Sequence, residues 1–325
     1  MSAVSLDGIT VGYDDEGSGE PLVLVHGHPF DRSMWRPQVE AFSRDGGRVI
    51  APDLRGYGET TVVPGTTTLE TFARDLAGLL ESLQVDRIVL GGLSMGGQIV
   101  LEFYRLFPHR VRGLVLADTS ARAETEDGRR LRNSTADRLL REGMAPYAEE
   151  VLPKMVAPHN LRARPDLARH VLAMMLATPP EGAAAALRGR ADRPDNLDML
   201  ARITAPTLIA VGSDDTFTPV NEARVMHERI PNATLAVIQG AGHMPNLERP
   251  TEFNGALRDL LEVVGSLPAP NKGCRDGWWM LGLGGYDSSG CWSRCWLKAS
   301  GVTHERGTAG FCVARCRHAP VGSSS

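Results

Sequence analysis

The 325-residue sequence has no cysteine in residues 1–273, little net charge and no long apolar run. A net charge of −4 gives no general attraction to nucleic acid or to an anionic membrane. No run of about 18 apolar residues is present, which argues against a transmembrane helix. No basic segment followed by an apolar one opens the chain, so we expect no signal peptide. The sequence predicts a cytoplasmic protein without nucleic-acid or membrane partners, and it leaves the oligomeric state open.

All five cysteines and four of the five tryptophans lie after residue 273. This change in composition predicts a boundary near Pro268–Pro270. Two cysteine pairs and two histidines beyond it have spacings that structural zinc sites use. They are Cys291 with Cys295, Cys312 with Cys316, and His304 with His318. Abundant glycine and the absence of apolar periodicity favour the other reading, a disordered or frameshift-derived extension over 267–325 that holds no metal.

The remaining chain alternates short apolar runs with helical patterns. Runs that are apolar on both faces are typical of parallel strands covered by helices on each side. The alternation stops at Asp118 and resumes at Thr207, and residues 121–200 show helical segments only. We predict an α/β fold with a mostly parallel sheet of about eight strands. Residues 1–120 and 201–266 would form its core, and residues 121–200 an all-helical cap that supplies the substrate pocket.

One short motif suggests nucleophilic chemistry. Gly92-Leu-Ser94-Met-Gly96 has the pattern G-x-S-x-G and stands between a predicted strand and a predicted helix. A strained strand-to-helix turn at this point would present the Ser94 hydroxyl, and the glycines would let the backbone turn. An ordinary helix start, with the serine as its N-cap, is the alternative.

A nucleophilic serine needs a base and an acid that orients the base. His243 follows the last predicted strand and is the candidate base, with a loop histidine of no function as the alternative. Asp215 follows the preceding strand and is the candidate acid, in the order Ser, Asp, His. The spacing to Pro219 favours Asp215 over Asp214, and Asp118 at an earlier strand end is a third candidate.

The tetrahedral oxyanion of acyl transfer needs two main-chain N–H donors. Met95 follows the nucleophile at the helix N-terminus and is one candidate. The loop His26-Gly-His28-Pro29 supplies the other, and since Pro29 has no N–H, we assign it to His28. His26 is expected to be a structural hydrogen-bonding residue.

Several motifs resemble landmarks of the α/β-hydrolase superfamily over about residues 3–265. They are His26-Gly-His-Pro29 with Trp35, Asp53–Gly58, Gly92–Gly96, Gly-Ser-Asp-Asp215 and Gly-His243. Further motifs are similar to those of the 3-oxoadipate enol-lactonases and their esterase relatives. These are Ala117–Arg122, Pro179–Gly182 and His243–Pro250. The His26–Pro29 loop and the Gly92–Gly96 turn also resemble those of the cofactor-free haloperoxidases. Tail residues 267–325 depart from the family, whose members normally end before them.

The resemblance implies a serine hydrolase that cleaves a small ester or lactone through an acyl-enzyme, without metal or organic cofactor. A carboxylated substrate would favour an arginine near the pocket. The predicted cap offers four arginines, of which most are expected to be solvated. They are Arg122, Arg129, Arg188 and Arg190. We predict Arg122 and Trp35 as pocket residues. Perhydrolysis, with hydrogen peroxide as acyl acceptor, is the alternative activity, and ligand binding without turnover is the alternative class.

Overall fold

The computed structural model of the protein describes residues 2–266 and two short strands, Trp278–Trp279 and Leu297–Lys298, which pair antiparallel. Otherwise the predicted extension over 267–325, with its zinc alternative, lies outside the described residues and stays a prediction. Among the described residues, no helix combines the length and the apolar character needed to cross a membrane.

Eight strands form one sheet, in the spatial order β1-β2-β4-β3-β5-β6-β7-β8. The strands are β1 Ser2–Leu6, β2 Ile9–Gly17, β3 Pro21–Val25, β4 Arg48–Pro52, β5 Ile88–Leu93, β6 Val111–Ala117, β7 Thr207–Gly212 and β8 Ala233–Ile238. The pairs β1–β2 and β2–β4 are antiparallel, and the other pairs are parallel. This sheet confirms the predicted fold class.

Twelve α-helices accompany the sheet in residues 2–266. They are α1 Arg36–Arg44, α2 Leu69–Ser82, α3 Met95–Leu106, α4 Glu126–Glu142, α5 Ala145–Met155, α6 Pro158–Ala163, α7 Pro165–Ala177, α8 Pro180–Ala191, α9 Leu197–Leu200, α10 Val220–Arg229, α11 Pro245–Glu248 and α12 Pro250–Ser266. Short 3-10 helices span Arg32–Trp35 and Pro108–Arg110. We call α4–α9, which separate β6 from β7, the helical segment. The division into a core, a cap and an extension stays a prediction.

The sheet is buried on both faces because its central strands are almost entirely apolar. On β3, Val23 and Val25 join one hydrophobic cluster, and Leu22 and Leu24 join the other. The first cluster receives apolar residues of α2, α3 and α10, and the second receives those of α1 and α12. Each fully buried aliphatic side chain contributes about 1.5–3 kcal/mol. The parallel strands are thereby fixed in register, with their C-terminal ends at one edge of the sheet.

Local sequence explains where the elements begin and end. Asp7 and Gly8 both have positive φ, which a two-residue turn between β1 and β2 requires. The Thr68 hydroxyl caps α2 by accepting a hydrogen bond from the Thr71 N–H at 3.1 Å. Pro108 follows α3 closely, where a proline opposes continuation of the helix.

Candidate active site

Ser94 lies in a strained turn between β5 and α3. Its φ of 57° and ψ of −115° are unusual for a residue with a side chain. A Cβ on Gly92 would lie 2.3 Å from the carbonyl carbon of Gly96, and a Cβ on Gly96 would lie 2.2 Å from the Val25 oxygen. Neither position accepts a side chain, so the two glycines are what allow the chain to make this turn.

His243 and Asp215 form a buried hydrogen-bonded pair. The Nδ1 atom of His243 lies 2.8 Å from Oδ2 of Asp215, and both side chains are buried. Asp215 follows β7 and His243 follows β8, so neighbouring parallel strands deliver the two groups to one edge of the sheet. With Nδ1 held by the carboxylate, the other imidazole nitrogen is left to act as a base.

Several donors hold Asp215 in its ionised form. Burial by itself raises the pKa of this carboxyl, but the charge and hydrogen bond of His243, together with two further donors, more than offset it. The Thr218 hydroxyl donates to Oδ2 at 2.5 Å, and the Phe217 N–H donates to Oδ1 at 2.8 Å. The net effect lowers the pKa of Asp215 well below its ordinary value. A permanently charged acceptor next to Nδ1 can stabilise an imidazolium.

Asp214, the competing acid, has a different environment. Its side chain is exposed, and Oδ1 accepts a hydrogen bond from the Ser213 hydroxyl at 2.7 Å. Its other oxygen lies 3.8 Å from Nδ1 of His159. The structure therefore brings Asp215, and not Asp214, to the imidazole of His243.

The loop after β3 passes against the Ser94 turn. A Cβ on Gly27 would lie 3.3 Å from the Cβ of Ser94, so His28 directly follows a close approach to the candidate nucleophile. Met95 is the first residue of α3, where an N–H has no acceptor within the helix. His26 makes two main-chain hydrogen bonds, from the Leu54 N–H to Nε2 at 2.9 Å and between Nδ1 and the Gly27 oxygen at 2.8 Å. The N–H groups of His28 and Met95 stay the predicted oxyanion donors.

The two predicted pocket residues lie in different surroundings. Trp35 is fully buried, and its ring packs 6.1 Å from that of Phe253. Arg122 is half-exposed, and its guanidinium is paired with Glu222 at 3.1 Å. Neither residue brings a free polar group to the His243 imidazole. Their role in the substrate pocket stays a prediction, and no contact described above supports it.

A buried carboxyl group that the sequence suggested only as a third candidate acid also lies at this sheet edge. Asp118 follows β6 with a φ of 43°, and its Oδ1 accepts a hydrogen bond from the Gly212 N–H at 2.9 Å. Its Oδ2 is buried without a hydrogen-bond partner in the described part of the chain. Burial, followed by the negative charge of Asp215, raises the pKa of Asp118 well above its ordinary value.

These same side chains are the one group among the described residues whose spacing would suit a metal ion. One ligand atom from each of Asp118, Asp215 and His243 lies within 4.8 Å of the others. The 2.8 Å hydrogen bond already joins Nδ1 of His243 to Asp215. A metal would have to displace that bond, so the arrangement fits a hydrogen-bonded acid–base pair better than a metal site.

Asp118→Asn is expected to stabilise the protein more at pH 8 than at pH 5. A carboxyl whose pKa is raised by folding contributes its stability below its unfolded pKa of about 3.9 and loses it as the pH rises. Asparagine keeps the acceptor for Gly212, tolerates a positive φ and cannot ionise. The gain in the free energy of unfolding at pH 8 should be on the order of 1 kcal/mol, measured by urea denaturation. A gain for D118N that shrinks from pH 5 to pH 8 would contradict this account.

Glu248 is a structural residue of the site that reasoning from the sequence did not single out. Its Oε1 accepts from the Gly242 N–H at 2.8 Å, next to His243, and its Oε2 accepts from the Ala157 N–H at 2.9 Å. The amide of Asn160 also donates to Oε2, at 2.7 Å. One buried carboxylate thus ties the histidine loop to the helical segment. The sequence placed Glu248 only within the His243–Pro250 motif and gave it no role of its own.

Comparisons with known proteins identify the family of the fold. A family model described as alpha/beta hydrolase fold matches residues 20–250. The chain is 30% identical to 3-oxoadipate enol-lactonase 1 of Acinetobacter baylyi, over 69% of this chain and 81% of that protein. A thermophilic esterase from Thermogutta terrifontis, solved with malate bound, is 41% identical, with a TM-score of 0.79 over 81% of this chain and 99% of that one. A bromoperoxidase structure from Bacillus anthracis is 28% identical, with a TM-score of 0.69 over 78% and 96%.

Proposed function

Because this chain belongs to the α/β-hydrolase fold family, we propose that it hydrolyses small carboxylic esters or lactones through an acyl-enzyme on Ser94. The observation that carries the proposal is the buried 2.8 Å hydrogen bond between His243 and Asp215 at the same sheet edge as the strained Ser94 turn. The likeness to an enol-lactonase and to an esterase supports the same class of reaction.

In the first half of the reaction, the Ser94 hydroxyl attacks the carbonyl carbon while Nε2 of His243 accepts its proton. Asp215 stabilises the resulting imidazolium through Nδ1. The main-chain N–H groups of His28 and Met95 bind the oxyanion, where such donors are worth about 3 kcal/mol each. Collapse of the tetrahedral intermediate expels the alkoxide, which takes the proton from His243 and leaves as the alcohol.

In the second half, His243 removes a proton from water, and the hydroxide attacks the acyl carbon. Collapse of the second intermediate releases the acid and returns the proton to Ser94. With a lactone, the alcohol and the acid are two ends of one product. The chemistry needs only this chain and water. We propose the cytoplasm as its location and a small molecule as its partner.

Perhydrolysis is the second candidate, favoured by the likeness to a bromoperoxidase structure. In that reaction, hydrogen peroxide would attack the acyl-enzyme in place of water. The acyl group would then leave Ser94 as a peracid. The two activities share the first half of the reaction and differ in the acceptor.

A series of 4-nitrophenyl esters with two to eight acyl carbons, and dihydrocoumarin as a lactone, separates these candidates. Each is assayed with and without hydrogen peroxide, and peracid is detected by halogenation of monochlorodimedone. We expect turnover of short esters in water, with at most a small peracid yield. Absence of both nitrophenol release from every ester and ring opening of dihydrocoumarin would contradict the proposed hydrolase, and peracid as the main product would favour the second candidate.

A further inference from the structure

The end of strand β6 is hydrogen-bonded to the turn that carries the candidate nucleophile. The Ser94 N–H donates to the Ala117 oxygen at 2.9 Å, and the Thr119 hydroxyl donates to the Ser94 oxygen at 2.7 Å. These two bonds are made by the residues on either side of Asp118. The backbone of Asp118 is therefore fixed relative to the Ser94 turn.

Asp118 is also bonded to the strand that leads to the candidate acid. Its N–H donates to the Ala210 oxygen at 2.9 Å, and its Oδ1 accepts from the Gly212 N–H at 2.9 Å. The N–H of Asp215 donates back to the Gly212 oxygen at 3.3 Å. One residue thus joins the serine turn to the loop of the acid.

These contacts do not by themselves need a carboxyl group. The φ of 43° at Asp118 is as accessible to asparagine as to aspartate, and an amide oxygen would accept from Gly212 equally well. What distinguishes aspartate here is its second oxygen. Oδ2 is buried, and no donor reaches it among the described residues.

An ionised carboxyl group fits these surroundings poorly. Asp118 is 1% exposed and forms no salt bridge within residues 2–266, so its charge would have one N–H donor and little contact with water. Burial of a charge with so few partners is costly. A protonated carboxyl group is neutral, and its O–H makes Oδ2 a donor that needs only an acceptor.

An acceptor for that O–H lies close by. A side-chain oxygen of Asp118, one of Asp215 and a ring nitrogen of His243 all lie within 4.8 Å of one another. Burial, the charge of Asp215 and a hydrogen bond with its side chain raise the pKa of Asp118, although the Gly212 N–H lowers it. Among the described residues, Oδ1 of Asp215 accepts one hydrogen bond, from the Phe217 N–H, which leaves a lone pair for a second donor.

The donors around the two carboxyl groups decide which of them would hold a shared proton. Asp215 accepts from a hydroxyl, a main-chain N–H and the His243 ring. Asp118 accepts from the Gly212 N–H alone in the described part of the chain. Because donors favour the ionised form, the charge is favoured on Asp215 and the proton on Asp118.

A third carboxyl group, that of Glu248, also acts on Asp118. In addition to burial, its charge raises the pKa of Asp118. Its own oxygens accept from two main-chain N–H groups and the amide of Asn160, so it is held as an acceptor. The ionisable groups that face Asp118 in residues 2–266 are thus Asp215 after β7, His243 after β8 and Glu248 in α11.

From this arrangement we propose that Asp118 carries a proton and donates a hydrogen bond through Oδ2 to Asp215. The inference rests on the proposed function and adds a positioning residue to it. Asp118 orients the Asp215 carboxylate against His243. Because Asp118 is neutral, the imidazole faces only one ionised carboxylate of the pair.

The neutrality of Asp118 matters for the base. A second negative charge within 4.8 Å of the imidazole would favour the protonated ring. At an effective dielectric constant of about 20, Coulomb's law makes such a charge worth about two pH units. Since an imidazolium cannot accept the proton of Ser94, the proton on Asp118 keeps His243 available as a base at neutral pH.

The pH profile of Asp118→Asn tests this charge state. Asparagine keeps the acceptor for Gly212 and offers an N–H donor to Asp215, so one neutral donor replaces another. We expect the acid limb of kcat/KM for a short 4-nitrophenyl ester to move by less than about one pH unit. Loss of a negative charge would move that limb to lower pH by about two units, and a downward shift of more than about one unit would overturn the proposal.

Asp118→Gly tests the positioning role. Glycine suits the φ of 43° but has neither the O–H nor the acceptor oxygen. With one of its donors removed, the Asp215 carboxylate is oriented less well, so we expect kcat to fall by about 10-fold and KM to change little. Asp118→Asn should restore most of that loss. Equal kcat in the two variants would overturn the positioning role.

The proton can also be observed without turnover. A protonated carboxyl group has an infrared carbonyl stretch that a carboxylate lacks, and isotope labelling of the aspartate carboxyl carbons assigns it. In Ser94→Ala protein at pH 7 we expect this band, its loss on further Asp118→Asn replacement, and its retention with Asp214→Asn, which changes an exposed carboxyl group. Absence of the band, or its survival in D118N, would overturn the proposal while leaving the hydrolase itself intact. Absence of turnover with all esters would overturn the proposed function, and the band would still decide whether Asp118 holds a proton.

Discussion

Ser94→Ala is expected to lower kcat/KM for a short 4-nitrophenyl ester by about 10⁴-fold or more. Removal of a nucleophilic serine removes the acyl-enzyme route, and only binding and oxyanion stabilisation remain. Alanine keeps the Cβ at the strained φ of 57°, so the fold should be retained. Steady-state kinetics measures the loss in kcat/KM, and thermal unfolding of the variant beside the unmodified enzyme measures whether the fold is retained.

Ser82→Ala provides the control. This serine lies on α2, where its hydroxyl donates to the Gly78 oxygen at 3.0 Å in an exposed position. Its replacement should leave kcat/KM within about twofold, as surface substitutions usually change stability by no more than ~0.5 kcal/mol. Turnover by S94A equal to that of S82A would remove Ser94 from the mechanism.

Asp215→Asn is expected to lower kcat by about 10³–10⁴-fold and to lower stability at neutral pH as well, since it preserves the shape but removes the charge that its donors stabilise. The Phe217 N–H needs an oxygen at the Oδ1 position, so the amide nitrogen would face Nδ1 of His243. That nitrogen would donate to Nδ1, and the ring proton would move to Nε2. The imidazole could then no longer accept the proton of Ser94.

Asp214→Asn is the matched control for this experiment because it changes the neighbouring residue in the same way. The Asp214 side chain is exposed and contacts Ser213 and His159 instead of His243. Its kinetics should match those of the unmodified enzyme. A larger loss in D214N than in D215N would show that the wrong carboxylate had been assigned to the histidine.

Much of the fold could be predicted because the elements depend on local sequence. The run Pro21–Val25 is apolar on both faces, and the structure places it as a central parallel strand. The helix beginning at Met95 and the strand before Ser94 were predicted from periodicity and glycine placement, and both are observed. Strand ends converge in a parallel sheet by geometry alone, which brings Asp215 and His243 together across 28 residues of chain.

Other features could not be predicted because they depend on partners far away in sequence. The four arginines of the predicted cap differ little in local pattern. Their roles are decided by acids such as Glu222, which is 100 residues from Arg122. The sequence therefore favoured Arg122 for the pocket, whereas Arg190 is buried and has no carboxylate partner within residues 2–266. Burial of Arg190 arises where α8 meets the core, and no periodicity reports that contact.

The buried acids show the same limit. Asp118 directly follows a strand, as many turn residues do. Its raised pKa comes from burial beside Asp215. Glu248 lies in a short helix. Its carboxylate oxygens accept hydrogen bonds from the N–H groups of Gly242 and of Ala157, which is 91 residues away. Each carboxylate has a role only once two distant segments meet.

The central claim is that Ser94 becomes a nucleophile because His243 and Asp215 activate it. Diethyl 4-nitrophenyl phosphate reacts with such a hydroxyl and leaves a stable diethylphosphoryl group, which peptide mass spectrometry can locate. We predict stoichiometric labelling of Ser94 in the unmodified enzyme, far slower labelling in His243→Ala, and loss of esterase activity in parallel with labelling. Full inhibition with the label on another residue, or undiminished labelling of Ser94 in His243→Ala, would contradict the account.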